Sequence, residues 1–275
     1  MQIKRSVAII VALEGSYNRE VIDGVFQYSR EHPHIAAVYS GHPHKPSQVA
    51  AVVHRQKPQG IITGLNSAEV GRAILRTGIP AVNINAMVDF PAVPQVTVDN
   101  VGVGRAAARY FLGLGFKDFG FSGTGTHYSN LRQEGFRDEL AAAGHTCKHF
   151  TEKQESWGQS INDRRVEQWL SAMGKPCAIL ASHDIRGLSL MGAAENIGLR
   201  VPDDVAVLGV GNDETLCGSF HVTLSSVSRP GRLVGYKAME VLGQAHARRQ
   251  PAVRPHPHRP VGHCGTAVLR HRPGR

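Results

Sequence analysis

The sequence predicts an α/β protein built from two doubly wound lobes, each containing a parallel sheet. Short apolar runs rich in β-branched residues alternate along the chain with segments of helical periodicity. These runs are apolar throughout rather than at every second residue, which is typical of parallel strands covered by helices on both faces. There are too many runs for one open sheet to hold comfortably, so we expect two sheets.

The first half of the chain follows this alternation closely. The run SVAIIVAL predicts the first strand at 6–13. The next helix, predicted at 18–32, has Val21 and Val25 on one face and Asn18 as its N-cap. Later strands are predicted at 36–40, 60–65, 80–85 and 95–99, and later helices near 47–56, near 68–77 and at 101–115.

The second half continues the pattern. CAILAS and VAVLGV are continuous apolar runs of strand length, and each is followed by polar residues. The predicted strands lie at 118–123, 146–150, 177–182, 205–210 and 224–228, and the predicted helices lie at 130–144, 161–174, 184–198 and 230–242.

The positive charge of the chain is concentrated at its end. Seven of the 31 Lys and Arg residues lie in 244–275, a stretch without Asp or Glu, so the other 24 nearly balance the 22 acidic residues. The formal charge of +9 therefore says little about the partner of the main body.

Cysteine usage and the N-terminus both predict a cytoplasmic protein. The four Cys residues are far apart in sequence and form no CxxC pair, which disfavours a zinc site and fits a reducing compartment. The first apolar run reaches Glu14 after a few residues and has no cleavage site of small residues, so we expect neither a signal peptide nor a membrane span.

Polar residues follow several predicted strands at their carboxyl ends, where ligands bind in doubly wound sheets. Carboxylates and amides accept hydrogen bonds from sugar hydroxyls, Arg donates to sugar oxygens, and aromatic rings cover the C–H face, so this set predicts a polyhydroxylated ligand. The alternative is that Asn18, Asp99 and Asp184 are helix caps. The candidate residues are Glu14, Tyr17, Asn18, Arg19, Asp99, Asn100, Arg132, His183, Asp184, Asn212, Asp213 and Glu214.

No motif in the sequence predicts an enzyme. GVGRAA at 102–107 lacks the third glycine and the acidic residue of a dinucleotide site. The sequence contains no P-loop and no G-x-S-x-G elbow. We therefore expect no catalytic residues, no cofactor and no metal.

Three segments resemble lactose/galactose-repressor-type effector domains: GLRVPDDVAVLGVGNDE, VTVDNVGVGRAAARYFLGLGFKDFGFSG and NLRQEGFRDEL. The opening VALEGSYNREVIDGVFQYSREHP, together with ASHDIRG and TLSSV, is similar to the xylose-operon regulators, whose AraC-type helix-turn-helix motifs follow the sensor domain. The likeness covers residues 4 to about 243.

The resemblance implies a type I periplasmic-binding-protein fold with sugar, as a pentose effector, held in a cleft between the lobes. Arg132 would clamp sugar hydroxyls, Asp99 would accept from the sugar, and His183 with Asp184 would match the family's polar pair. The family usually has Asp where this chain has Gly211, so Asn212 or Asp213 would replace that acid. Residues 1–115 with 228–243 would form lobe 1, and 116–227 would form lobe 2.

The resemblance further implies a sugar-sensing domain of a transcription regulator of xylose-like catabolism, in a homodimer. Operator DNA would be bound only by a C-terminal domain absent from this chain. The alternative is a cytosolic sugar-binding protein without DNA-binding function.

Segment 244–275 contains seven Arg, five His and five Pro residues and does not resemble the family. It can be interpreted as a nucleic-acid-binding arm, or as a zinc tail using His256, His258, His263 and Cys264. We favour a third interpretation, a change of reading frame between about Leu242 and Val253, because an offset frame can encode a strand like the one the family has here. Such a tail would be disordered.

Overall fold

A computed structural model describes residues 5–42, 45–152 and 163–247, with the strand residues 263–264 and 269–270. The chain divides into two compact units. Unit 1 contains the residues up to Val98 and continues from Pro230, and unit 2 contains Asp99–Arg229. The strand residues 269–270 are grouped with unit 2.

Unit 1 contains the strands β1 (Arg5–Ile10), β2 (Ile35–Tyr39), β3 (Gly60–Thr63) and β4 (Ala81–Asn83), followed by the short β5 (Thr97–Val98). The first four form a parallel sheet in the order β2-β1-β3-β4. Its helices are α1 (Ser16–Glu31), α2 (Pro46–Gln56), α3 (Ala68–Arg76) and, late in the chain, α9 (Gly231–Ala247).

Both faces of this sheet are buried. Ala8 and Ile10 of β1 pack in one apolar cluster with Val52 of α2 and Ile74 of α3. Because successive side chains of a strand point to opposite faces, the buried Val7 lies on the other face. The continuous apolar runs of the sequence therefore predicted the sheet correctly.

Unit 2 contains a second sheet, built mainly from β6 (Asp118–Gly123), β7 (Cys147–Thr151), β8 (Cys177–Ala181), β9 (Val205–Gly211) and β10 (Ser225–Ser228). These five strands follow the order β10-β9-β8-β6-β7 and pair with one another in parallel. Its helices are α4 (Asn100–Gly113), α5 (His127–Ala142), α6 (Asp163–Ser171), α7 (Asp184–Asn196) and the single turn α8 (Glu214–Cys217).

The core of unit 2 also lies against helices. Ile179 of β8 and Val207 of β9 belong to a cluster with Leu170 of α6 and Leu190 of α7. Helices α4 and α5 pack against each other, with the rings of Phe111 and Phe136 edge to face at a centroid distance of 6.3 Å.

The structure confirms the predicted fold class and places each predicted strand and helix within a few residues of its expected position. Two predicted helix caps are wrong. Helix α1 begins at Ser16, with Gly15 in the N-cap position. The Asn18 side chain lies inside the helix and donates to the Glu14 carbonyl oxygen. Asp184 is the first residue of α7, whose cap is His183. The turn α8 was not predicted.

Most of segment 244–275 lies outside the described residues. The three interpretations of that segment, as a nucleic-acid-binding arm, a zinc tail or a change of reading frame, therefore stay predictions. Two short strands within it are described. Strand β11 (His263–Cys264) pairs with β5 in parallel, and β12 (Leu269–Arg270) pairs with β10 antiparallel. None of the helices in the described ranges combines the length and apolarity needed to cross a membrane.

Candidate functional site

Polar side chains gather at the carboxyl edge of the unit 2 sheet. Arg132 lies on α5, the helix that follows β6, and His183 and Asp184 follow β8. Arg132, His183 and Asp184 are all buried, at 2%, 7% and 3% exposure. Buried polar side chains are normally hydrogen-bonded within the protein or take part in function. Because ligands of doubly wound sheets bind at the carboxyl edge, these residues form a candidate ligand site.

Arg132 is held by two neighbours in unit 2. Its Nε donates to Asn100 Oδ1 at 2.9 Å, and its Nη1 donates to the carbonyl oxygen of Ser182. The guanidinium lies 4.7 Å from the centre of the Tyr128 ring, within cation–π range. The side chain is therefore fixed in position before any ligand arrives.

The close packing of α4 against α5 brings Asn100 to Arg132. A Cβ atom on Gly104 would collide with the Arg132 carbonyl oxygen, and one on Gly135 would collide with the Val101 carbonyl oxygen. Only glycine at these two positions allows the helix backbones to come this close.

His183 is a neutral helix cap. Its Nδ1 accepts the backbone N–H of Arg186 at 3.2 Å, which places the ring hydrogen on Nε2. Burial lowers the pKa of His183 to about 3, and the guanidiniums of Arg132, Arg186 and Arg229 contribute in the same direction. At neutral pH this ring cannot supply a proton, so the site is suited to binding rather than acid catalysis.

Asp184 joins the start of α7 to the ends of β9 and β10. Its Oδ1 accepts the Ser226 hydroxyl at 2.5 Å, and its Oδ2 accepts the backbone N–H of Asp213 at 3.0 Å. A Cβ on Gly211, whose φ is +148°, would collide with Asp184 Oδ2. The Asp184 carboxylate thus fills the space in which a side chain at position 211 would begin.

Three further predicted residues of unit 2 have local structural roles. Asp99 caps α4 by accepting the Gly102 N–H at 2.8 Å, as the cap alternative predicted. Asp213 caps α8 through the N–H groups of its first turn. Asn212 has a left-handed φ of 55°, and its N–H donates to Ser226 Oγ at 2.9 Å.

Besides Asn18, three predicted residues belong to unit 1. Tyr17 is half-buried on α1 and donates its hydroxyl hydrogen to the Ile84 carbonyl oxygen at 2.9 Å. Arg19 is exposed and donates to the Leu13 carbonyl oxygen at 3.2 Å. Glu14 is exposed in the loop between β1 and α1. Their roles in ligand binding stay predictions.

Sequence reasoning missed Arg186, which lies in the first turn of α7 and is 5% exposed. Its Nε donates to the buried Ser122 Oγ at 2.8 Å, and its guanidinium lies 5.4 Å from the centre of the Phe150 ring. Burial lowers the pKa of Arg186 to about 10, against the opposing effect of Glu152. In the sequence, Arg186 is distinguished only by its position three residues after His183. That segment was assigned to a helix and not to the site.

Among the residues that the structure describes, no group of His, Cys, Asp and Glu side chains is arranged to hold a metal ion. The buried edge of unit 2 instead offers guanidinium donors, amide and carboxylate acceptors, and aromatic rings. This combination is suited to a ligand that forms hydrogen bonds.

Comparison with known proteins places the chain among binding domains. A family profile described as periplasmic binding protein-like domain matches residues 108–264, more than half of the chain. The chain is 22% identical to the xylose operon regulatory protein of Escherichia coli K12 over 253 residues, covering 87% of this chain and 63% of that protein. It is 24% identical to the xylose operon regulatory protein of Haemophilus influenzae over 246 residues, covering 86% and 63%.

Among solved structures, that of a xylose-binding transcription activator matches with a TM-score of 0.76 at 20% identity, covering 98% of this chain and 70% of that one. The match establishes a shared fold. The chain spans about 63% of the length of the two curated relatives.

Proposed function

Because the chain belongs to the periplasmic binding protein-like family, we propose that it is the effector-binding domain of a sugar-responsive transcription regulator. The observation that carries this proposal is the buried Arg132, which Asn100 and Ser182 hold at the carboxyl edge of a parallel sheet. Ligands of doubly wound proteins bind beyond that edge.

Arg132 would donate to sugar hydroxyls. A guanidinium has five N–H donors in a rigid fork, a geometry that suits it to bind several oxygen atoms at once. The Tyr128 ring beside it offers an apolar surface for the C–H face of a sugar. Asp99 would contribute the carboxylate oxygen that does not cap α4, and Asp184 would act mainly by positioning His183 and α7.

The relatives named above support a sugar as the effector, since two carry xylose regulation in their names and one is described as xylose-binding. We propose a monosaccharide of pentose size, or a derivative of one. Dimerisation, action in the cytoplasm and operator binding through a separate domain are likewise proposals, because this chain spans only part of those relatives.

Titration calorimetry of the full chain tests the proposal. We expect saturable one-to-one heat with at least one member of a panel of aldopentoses, aldohexoses and their acids. An amino acid and a purine base serve as ligands of matched size that are not sugars. If folded protein binds none of the sugars, or binds only the purine or the amino acid, the sugar-sensing function is wrong.

A further inference from the structure

A second guanidinium, that of Arg186, is buried at the same edge of unit 2 as Arg132. Its Nη2 is a buried donor for which no hydrogen-bond acceptor exists among the described residues. Arg132 and Arg186 are each at most 5% exposed. Among the described residues, Asp184 is the only acidic side chain buried to a similar degree. These three side chains, two guanidiniums and one carboxylate, together carry one excess positive charge.

Glu152 forms a loose ion pair with Arg186, which shares that carboxylate with Arg165. Its carboxylate lies 3.8 Å from Arg186 Nη1, beyond hydrogen-bond distance, and 3.9 Å from Arg165 Nη1. One partly exposed carboxylate thus faces two guanidiniums. A buried charge without a closely bonded counter-charge is costly, so a protein keeps one where a ligand supplies the opposite charge.

Two further features at this edge favour a negative group. The hydroxyl oxygen of Ser182, directly before His183, is buried and also has no hydrogen-bond partner among the described residues. The thirteen-residue helix α7 begins two residues later, and the N-terminus of a helix attracts anions.

The state of His183 is consistent with a positive local field. Its imidazole is surrounded by the charges of Arg132, Arg186 and Arg229, which oppose its protonation in addition to the effect of burial. A neutral sugar would leave this field uncompensated, whereas a carboxylate would offset it through charge-assisted hydrogen bonds, which are about twice as strong as neutral ones.

We propose that the effector is an acidic sugar, an aldonate or uronate, whose carboxylate is bound by Arg186 while Arg132 binds its hydroxyls. This inference rests on the proposed function and specifies the class of ligand. A monoanionic carboxylate matches the single excess charge, and a guanidinium fork binds the two oxygens of a planar carboxylate side by side. A phosphate dianion would exceed the excess charge.

Calorimetry with two matched sets of sugars tests this. D-xylose, D-glucose and D-glucuronate share the same ring hydroxyl configuration and differ only in the group on C5, and D-xylonate is the acid of D-xylose. We expect an acid to bind at least about tenfold more tightly than its neutral counterpart. If a neutral sugar binds as tightly as its acid, the inference is wrong while the proposed function stands. If D-glucose 6-phosphate binds more tightly than D-glucuronate, the assignment to a carboxylate is wrong. If no sugar binds, both proposals fail.

Variants at Arg186 connect the preference to this residue. Arg186→Gln should reduce the affinity for the acid at least about tenfold and remove the preference over the neutral sugar, and Arg186→Lys should restore part of it. Arg165→Gln is the matched control, because Arg165 contacts the same Glu152 and Phe150 but its side chain is 61% exposed. Circular dichroism confirms folding. A folded Arg186→Gln variant that keeps the preference would overturn the assignment, as would an equal loss in Arg165→Gln.

Discussion

The Nε atom of Arg132 donates a hydrogen bond to Asn100 Oδ1 at 2.9 Å, joining the middle of α5 to the first residue of α4. This bond exists because Gly104 and Gly135 let the two helix backbones approach closely. The position of the guanidinium therefore depends on two residues that carry no side chain.

Replacing Gly135 tests this dependence. Gly135→Ala would place a methyl group against the Val101 carbonyl oxygen, so we expect the free energy of unfolding to fall by about 1–3 kcal/mol in urea denaturation. Gly192→Ala in α7 is the control, since nothing lies within 4 Å of a Cβ there. That change should be neutral or should stabilise by about 0.5–1 kcal/mol. Equal losses in both variants would show that close helix packing is not the cause.

Asp184 should matter for stability more than for direct contact with the ligand. Asp184→Ala removes the acceptor of the Ser226 hydroxyl and of the Asp213 N–H. Since a buried donor left unpaired costs about 1–3 kcal/mol, we expect the free energy of unfolding to fall by about 2–4 kcal/mol. The control Asp203→Ala removes an exposed ion pair with Arg200 and should change stability by about 0.5 kcal/mol or less. A loss of that small size in Asp184→Ala would contradict the assigned role.

His183 predicts a defined pH dependence. Its pKa is about 3 in the folded chain, whereas an unfolded histidine titrates near 6.5, so the unfolded state binds the proton more readily. The free energy of unfolding should therefore be insensitive to this group above about pH 6.5. It should fall by about 1.4 kcal/mol per pH unit between there and pH 3.

The variant His183→Asn isolates this effect. Asn can still accept the Arg186 N–H as a helix cap but does not titrate in this range. The difference in unfolding free energy between wild type and variant should shrink as the pH falls from 6.5. The exposed His149→Gln variant should follow the wild type throughout. A difference that does not change with pH would show that His183 is not held neutral by its surroundings.

The strands and helices could be predicted from sequence because their signals are local. Runs such as CAILAS are buried on both faces, and helix periodicity reports the buried side directly. Arg132 could be predicted because it lies in a recognisable family segment. The caps were harder, since Asn18 and His183 compete with neighbouring residues for the helix start, and backbone geometry decides between them.

Arg186 could not be predicted as a site residue for a different reason. Its significance comes from burial and from a donor that has no acceptor in the part of the chain the structure describes. Both depend on where Ser122, Phe150 and Glu152 lie in the folded unit. Those residues are far from it in sequence. Gly211 is a similar case, because only the structure shows that the Asp184 carboxylate occupies the adjacent space.

The most direct test of the proposed sugar-binding edge compares two arginines of α5. Arg132 is buried at the site, whereas Arg137 lies one and a half turns further along, exposed and paired with Asp138. In calorimetry with the tightest-binding sugar, Arg137→Ala should keep the wild-type affinity. Arg132→Ala should weaken it about 10- to 100-fold or more, because it removes charged hydrogen bonds of about 1.5–3 kcal/mol each. An Arg132→Ala protein that is folded and binds the sugar with wild-type affinity would contradict the account.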